Sequence, residues 1–93
     1  MEPTDKLPSG NFFPTQSIIR SATELGAFVR TQRKRLALTQ LDLAGVGNTG
    51  NRFIVDLENG KPTVQLQKVL DLMDLLGLEV VVRLRSGGGA ASK

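Results

Sequence analysis

Residues 51–59, NRFIVDLEN, hold the side chains best suited to recognising another molecule. An Asn amide can bond adenine at two positions on its edge, and an Arg guanidinium can do the same to guanine. Asn51 and Arg52 are therefore the candidate base readers. At about 100° per residue, Ile54, Leu57 and Glu58 share one side of a helix. Arg52, Val55, Asp56 and Asn59 share the other, which makes an outward polar ridge. Val55 is small and apolar enough to meet a thymine methyl. Phe53 lies between the faces, where it either packs into the core or presses on such a methyl. Asn59 closes the ridge as a candidate backbone contact. Asp56 is anomalous, because phosphates repel a carboxylate. Four residues after Arg52, it either holds that Arg in place for a two-pronged contact or accepts from a cytosine amino group. Otherwise it marks a helix that reads DNA poorly or contacts protein.

A helix this short does not stand alone in water, so Ile54 and Leu57 must dock on something. The stretch 39–60 supplies the arrangement. Thr39 is an N-cap for a short helix over 40–46. Gly47, Asn48, Thr49 and Gly50 break it, since Gly and Asn tolerate left-handed backbone angles. Gly60 stops the second helix. Helix, tight turn and outward polar helix form a helix-turn-helix, the geometry that fits a DNA major groove. Thr39 can also touch a phosphate through its hydroxyl or amide, since exposed helix N-termini attract anions, and Gln40 follows it as a polar first-turn residue.

Upstream, Ser21 and Glu24 read as a capping box, with each side chain bonding the other's amide. A long helix follows to about residue 36, with Leu25, Phe28, Val29 and Leu36 in one stripe and Ala22 at its margin. Arg30, Lys34 and Arg35 fall outside the stripe. They are either an ordinary solvated face or phosphate contacts that position a protein without reading sequence. Arg30, Lys34 and Lys61 are counted with the DNA-binding set.

Downstream, Lys61-Pro62-Thr63 turns the chain into a helix over 64–76, with Thr63 as N-cap and Gly77 as stop. Leu66, Val69, Leu70, Met73 and Leu76 make its core face. Leu72 and Leu75 add a second apolar stripe, which suggests a subunit interface. Residues 78–85 then alternate as a strand, with Leu78, Val80, Val82 and Leu84 on one face and Glu79, Val81, Arg83 and Arg85 on the other. A lone strand leaves its amides and carbonyls unpaired, and the simplest remedy is the same strand from a second copy, antiparallel across a two-fold axis. With Val81 on the axis, Glu79 faces the partner subunit's Arg83. Pairing with Ile18-Ile19 is the rival arrangement.

Ninety-three residues make one small domain, for which dimerisation is a common support. There is no Cys and no His, so neither a disulfide framework nor the usual zinc ligands or general base are present. No Gly-Lys-Ser/Thr follows the glycines at 47 and 50, so they do not make a P-loop. An enzyme is the least expected class, and no metal or cofactor is expected. The net charge of +3 suits an anionic partner only modestly. No run is long enough for a membrane span and no signal-peptide pattern opens the chain, so a cytoplasmic protein with no membrane partner is expected. The organisation expected is a flexible segment at 1–15, a helix-turn-helix domain at 16–77, a dimerisation strand at 78–85 and a flexible tail at 86–93. Phe12-Phe13 in the first segment either packs on the domain or contacts a partner.

Leu38-Thr39-Gln40, Leu43-Ala44 and Ile54-x-x-Leu57-Glu58-Asn59-Gly60 resemble the Xre/Cro-repressor type of helix-turn-helix. Lys61-Pro62-Thr63 leading into a Leu-rich helix and a Gly-Leu-Glu-Val-Val-Val strand looks more narrowly like HipB-type antitoxins. The resemblance covers residues 21–85. It implies a mainly α fold of four to five helices, with one C-terminal β-strand that pairs across a homodimer. It implies that Arg33 and Glu58 form a structural ion pair, and that Gln40 contacts phosphate and braces the recognition helix. It further implies an antitoxin and autorepressor that binds a palindromic double-stranded operator and holds a HipA-type Ser/Thr kinase toxin inactive. In such antitoxins the tail touches the toxin or invites proteolysis. A free-standing Xre-type repressor, or an interaction module that has lost DNA binding, are the alternatives.

Overall fold

A computed structural model describes residues 15–86. The expectations for 1–14 and 87–93, the Phe12-Phe13 pair included, lie outside the described residues. Within them the fold is all-helical, with four helices: α1 (Ala22–Arg35), α2 (Gln40–Val46), α3 (Asn51–Glu58) and α4 (Leu66–Leu75).

Local chemistry sets the helix ends. The Ser21 hydroxyl accepts from the Glu24 amide at 3.1 Å, as a capping box requires. The return arm differs from the expectation: the Glu24 carboxylate takes the Arg20 amide, not that of Ser21. Asn48 enters the left-handed region at φ 54°, which breaks the chain between α2 and α3. Gly60, at φ 83°, ends the run after α3.

Val29, Leu43, Ala44, Ile54, Leu57, Val69, Leu72, Met73 and Leu76 form the core. α3 packs against both α1 and α2. The α1–α3 contact is close because Gly26 lacks a side chain. A Cβ there would stand 2.3 Å from the Leu57 carbonyl oxygen.

Several expectations need correction. Leu36 is 42% exposed and outside the core. α1 buries Gln32 instead, whose Nε2 donates to the Leu76 carbonyl at 2.8 Å and ties α1 to the end of α4. α4 begins at Leu66 with Gln65 as N-cap, so Thr63 is not the cap. Residues 62–64 form turns and a bend that let Val64 drop against the core. Leu66 is left exposed. Leu72, expected at a subunit interface, is 1% exposed. The reason is the docking angle of α4: Val69, Leu72, Met73 and Leu76 sit at i, i+3, i+4 and i+7, and this seam faces inward. Leu75 stays exposed beside it.

The expected strand at 78–85 is absent: among the described residues there is no strand. Leu78 packs against the core, and its amide donates to the Met73 carbonyl at 2.8 Å just past Gly77. Beyond it, Val80, Val81, Val82 and Leu84 are exposed, the last by 93%. The physical cause is that, among the described residues, no neighbouring segment forms a ladder with it. Ile18 and Ile19 are also exposed and form no ladder with it.

Candidate nucleic-acid interface

α3 is fixed at its inner end by Glu58. Arg33 of α1 meets that carboxylate with two nitrogens, Nε at 2.6 Å and Nη2 at 3.0 Å. Its remaining Nη1 donates to the Leu38 carbonyl at 2.7 Å. Gln40, at the start of α2, donates its amide to Glu58 Oε1 at 3.1 Å. One buried carboxylate therefore joins α1, α2 and α3. Each Glu58 oxygen is satisfied, and such a two-pronged Arg–carboxylate geometry fixes orientation as well as distance.

The start of α2 is equally ordered. The Thr39 hydroxyl accepts from the Asp42 amide, and the Asp42 carboxylate accepts from the Thr39 amide, both at 2.9 Å. The Thr39 backbone amide, with its hydroxyl second, holds the Asp42 carboxyl below its usual value of 3.8. Asp42 was not singled out in the sequence. Its signal is an acidic residue three positions after the Thr cap. The bond also means that the Thr39 amide is engaged, so only its hydroxyl proton remains to reach a ligand. A recess of about 440 Å³ opens between α1, the start of α2 and the end of α3. Arg30, Thr39, Gln40 and Asn59 line it beside the buried Arg33 and Glu58.

On the outward side, Asn51 and Asn59 are exposed, and Val55 and Asp56 are half-buried. The Arg52 side chain is 84% exposed, and its Nε lies 3.2 Å from Asp56 Oδ1. Lys61 Nζ lies 3.4 Å from Asp56 Oδ2, and the Lys61 amide donates to the Asp56 carbonyl at 2.9 Å. Asp56 is thus held between two cations. Lys61, counted with the DNA-binding set, faces this carboxylate. Lys34 stands exposed on α1 and does not line the recess. Phe53 takes its core position, with Lys68 Nζ 5.6 Å from the ring centroid.

Among the described residues, no group of His, Cys, Asp and Glu could hold a metal ion. No helix there is long and apolar enough to cross a membrane.

Comparison with known proteins gives a clear sequence relative. It is an uncharacterised helix-turn-helix-type transcriptional regulator of Sinorhizobium fredii, y4mF. The two are 50% identical over 62 residues, which span 67% of this chain and 82% of the relative. No family model matches. Solved structures of similar fold include HipB in complex with an O4 20mer, at a TM-score of 0.70 and 21% identity. A HipA–HipB–O2–O3 complex matches equally, also at 0.70 and 21%. Each likeness covers 76% of this chain and 100% of the other.

Proposed function

The chain belongs to the helix-turn-helix-type transcriptional regulators, a non-enzymatic family, and from that membership we propose that it is a DNA-binding antitoxin and autorepressor of a HipBA-like operon. The observation that carries the DNA part is the state of α3. Its inner end is locked by the buried Arg33–Glu58 pair, while Asn51 and Arg52 project from its outer end. A rigid helix with an exposed amide and guanidinium is what major-groove readout needs.

In this reading α3 enters the groove, Asn51 and Arg52 meet base edges, and Val55 meets a thymine methyl. Thr39 and Gln40 hold a phosphate at the recess they share with Arg30 and Asn59. Lys34 meets the backbone farther along α1. Such contacts fix register and carry no sequence information.

The acting species is a homodimer. Residues 79–84, left exposed by one chain, pair with the same residues of a second copy, and the exposed Leu75 adds apolar surface to that assembly. Two α3 helices would then enter successive major grooves about 34 Å apart, on a roughly palindromic operator. The toxin partner is a HipA-type Ser/Thr kinase, a reading supported by the likeness to HipB in its complex with HipA.

A free-standing repressor without a toxin is the second reading, supported by the likeness to y4mF, a helix-turn-helix-type transcriptional regulator. The interaction-module alternative loses its main support, since two cations offset the Asp56 carboxylate. Capture of the tagged chain from its native cells, with high-salt elution and mass spectrometry, separates the two. A kinase-sized protein in near-equal amount supports the antitoxin. Recovery of the chain alone, as a dimer, overturns the toxin partnership and leaves the repressor.

A further inference from the structure

We infer that Asp56 is a positioning residue for base readout: it holds Arg52 by its inner Nε so that the outer guanidinium edge meets a guanine, while Lys61 balances the carboxylate and binds no phosphate. This rests on the DNA-binding reading above and adds to it one base and the device that selects it.

The charges of α3 run against its helix dipole. Helices favour acids in their first turn and bases in their last. α3 has no acid in its first turn and no base in its last, and it carries Arg52 near its start and Asp56 near its end. An i,i+4 pair in that order is the less favourable orientation for a helix. Helix stability therefore does not explain the pair.

Its geometry offers another reason. The carboxylate is 18% exposed and the Arg52 side chain 84%, so the acid is held inward and the guanidinium is presented to solvent. The approach runs through Nε, and an Arg held at Nε can turn its terminal nitrogens towards the N7 and O6 of a guanine. A fixed Arg also loses less freedom on docking than a free one. Asp56 Oδ2 would otherwise face the phosphates as a bare charge, and Lys61 Nζ lies 3.4 Å from it.

The test begins by selecting the preferred duplex of the wild-type protein from a random library. Binding is then measured to that duplex and to one with the candidate guanine replaced. Arg52→Ala should lower guanine discrimination roughly tenfold, within what one bidentate contact supplies. Arg52→Lys should lose it similarly while keeping the charge and the melting temperature. Asp56→Asn should lose several-fold of the discrimination, and nothing further when added to Arg52→Ala. Lys61→Gln should leave the salt slope unchanged, whereas loss of a phosphate contact would reduce it by about one. The inference is overturned if Asp56→Asn tightens binding to every sequence alike, with or without Arg52, because Asp56 is then only a repelling charge. It is also overturned if a preferred site exists whose readout ignores Arg52. A wild-type protein that selects no site at all overturns the DNA-binding reading itself.

Discussion

Arg33 and Glu58 lie 25 residues apart in the chain and meet in the interior through two bonds, at 2.6 Å and 3.0 Å. Both side chains are nearly inaccessible, 7% and 2% exposed. Glu58→Ala would leave the Arg33 charge buried without its partner and would release Gln40. The expected cost is about 3–5 kcal/mol. Urea unfolding of the variant against wild type measures it. DNA binding should fail only as the fold fails, so a variant that keeps its melting temperature but loses DNA contradicts this role.

Gly26→Ala tests the close approach of α1 to α3. The added methyl would meet backbone, the Leu57 carbonyl oxygen at 2.3 Å, so no side-chain rotation relieves it. The helices must separate, at a cost on the order of 1–3 kcal/mol or more. For a domain of this size each kcal/mol lowers the melting temperature by about 4–8 °C. An unchanged melting temperature would mean that the approach is looser than described.

Asp42 predicts an acid-limb effect. The Thr39 amide and hydroxyl depress its carboxyl below 3.8 in the folded state. The group's contribution to stability is therefore fully present above the unfolded value and is lost as pH falls through the lower folded value. At neutral pH it is fully present. Asp42→Asn should remove this part of the acid dependence, visible as a flatter fall in melting temperature below about pH 4. An NMR titration should place the Asp42 midpoint below 3.8. A midpoint at or above that value counts against the capping box.

Leu72 and the 79–84 segment should separate fold from assembly. Leu72→Ala removes a buried core side chain and should cost about 2–5 kcal/mol. Leu84→Ser should leave the fold intact, because Leu84 is 93% exposed in the single chain, and should weaken self-association. Arg83→Glu should weaken the dimer a few-fold in sedimentation equilibrium, and adding Glu79→Arg should restore it, as a cross-strand charge pair of about 0.2–1 kcal/mol predicts. Failure of the rescue removes the register with Val81 on the axis and leaves the dimer standing.

Much of this fold was legible in the sequence because its signals are local. The Thr39 cap, Gly60 and the apolar pair Ile54 and Leu57 depend on neighbours within a turn or two, and they place α2 and α3 closely. What was not legible depends on tertiary geometry. The periodicity of 64–76 places Val69, Met73 and Leu76 in the core but not the docking angle, which turns Leu72 inward and leaves Leu66 exposed. Gln32 looks like a surface residue until the end of α4 arrives beside it with the Leu76 carbonyl. The alternation of 78–85 is strand chemistry, but a ladder needs a second strand, which a single sequence does not contain. At the interface, the spacing from Arg52 to Asp56 suggested a pair. Nothing in the spacing indicated that Lys61 would complete it from beyond the helix end.

Readout of DNA by α3 is measured by fluorescence anisotropy against the selected duplex and a scrambled one, over a salt series. Tight binding that weakens steeply with salt is expected, with a clear preference for the selected site and loss of that preference in Asn51→Ala and Arg52→Ala with the fold retained. Binding that ignores sequence, or that changes little between low and high salt, would contradict it.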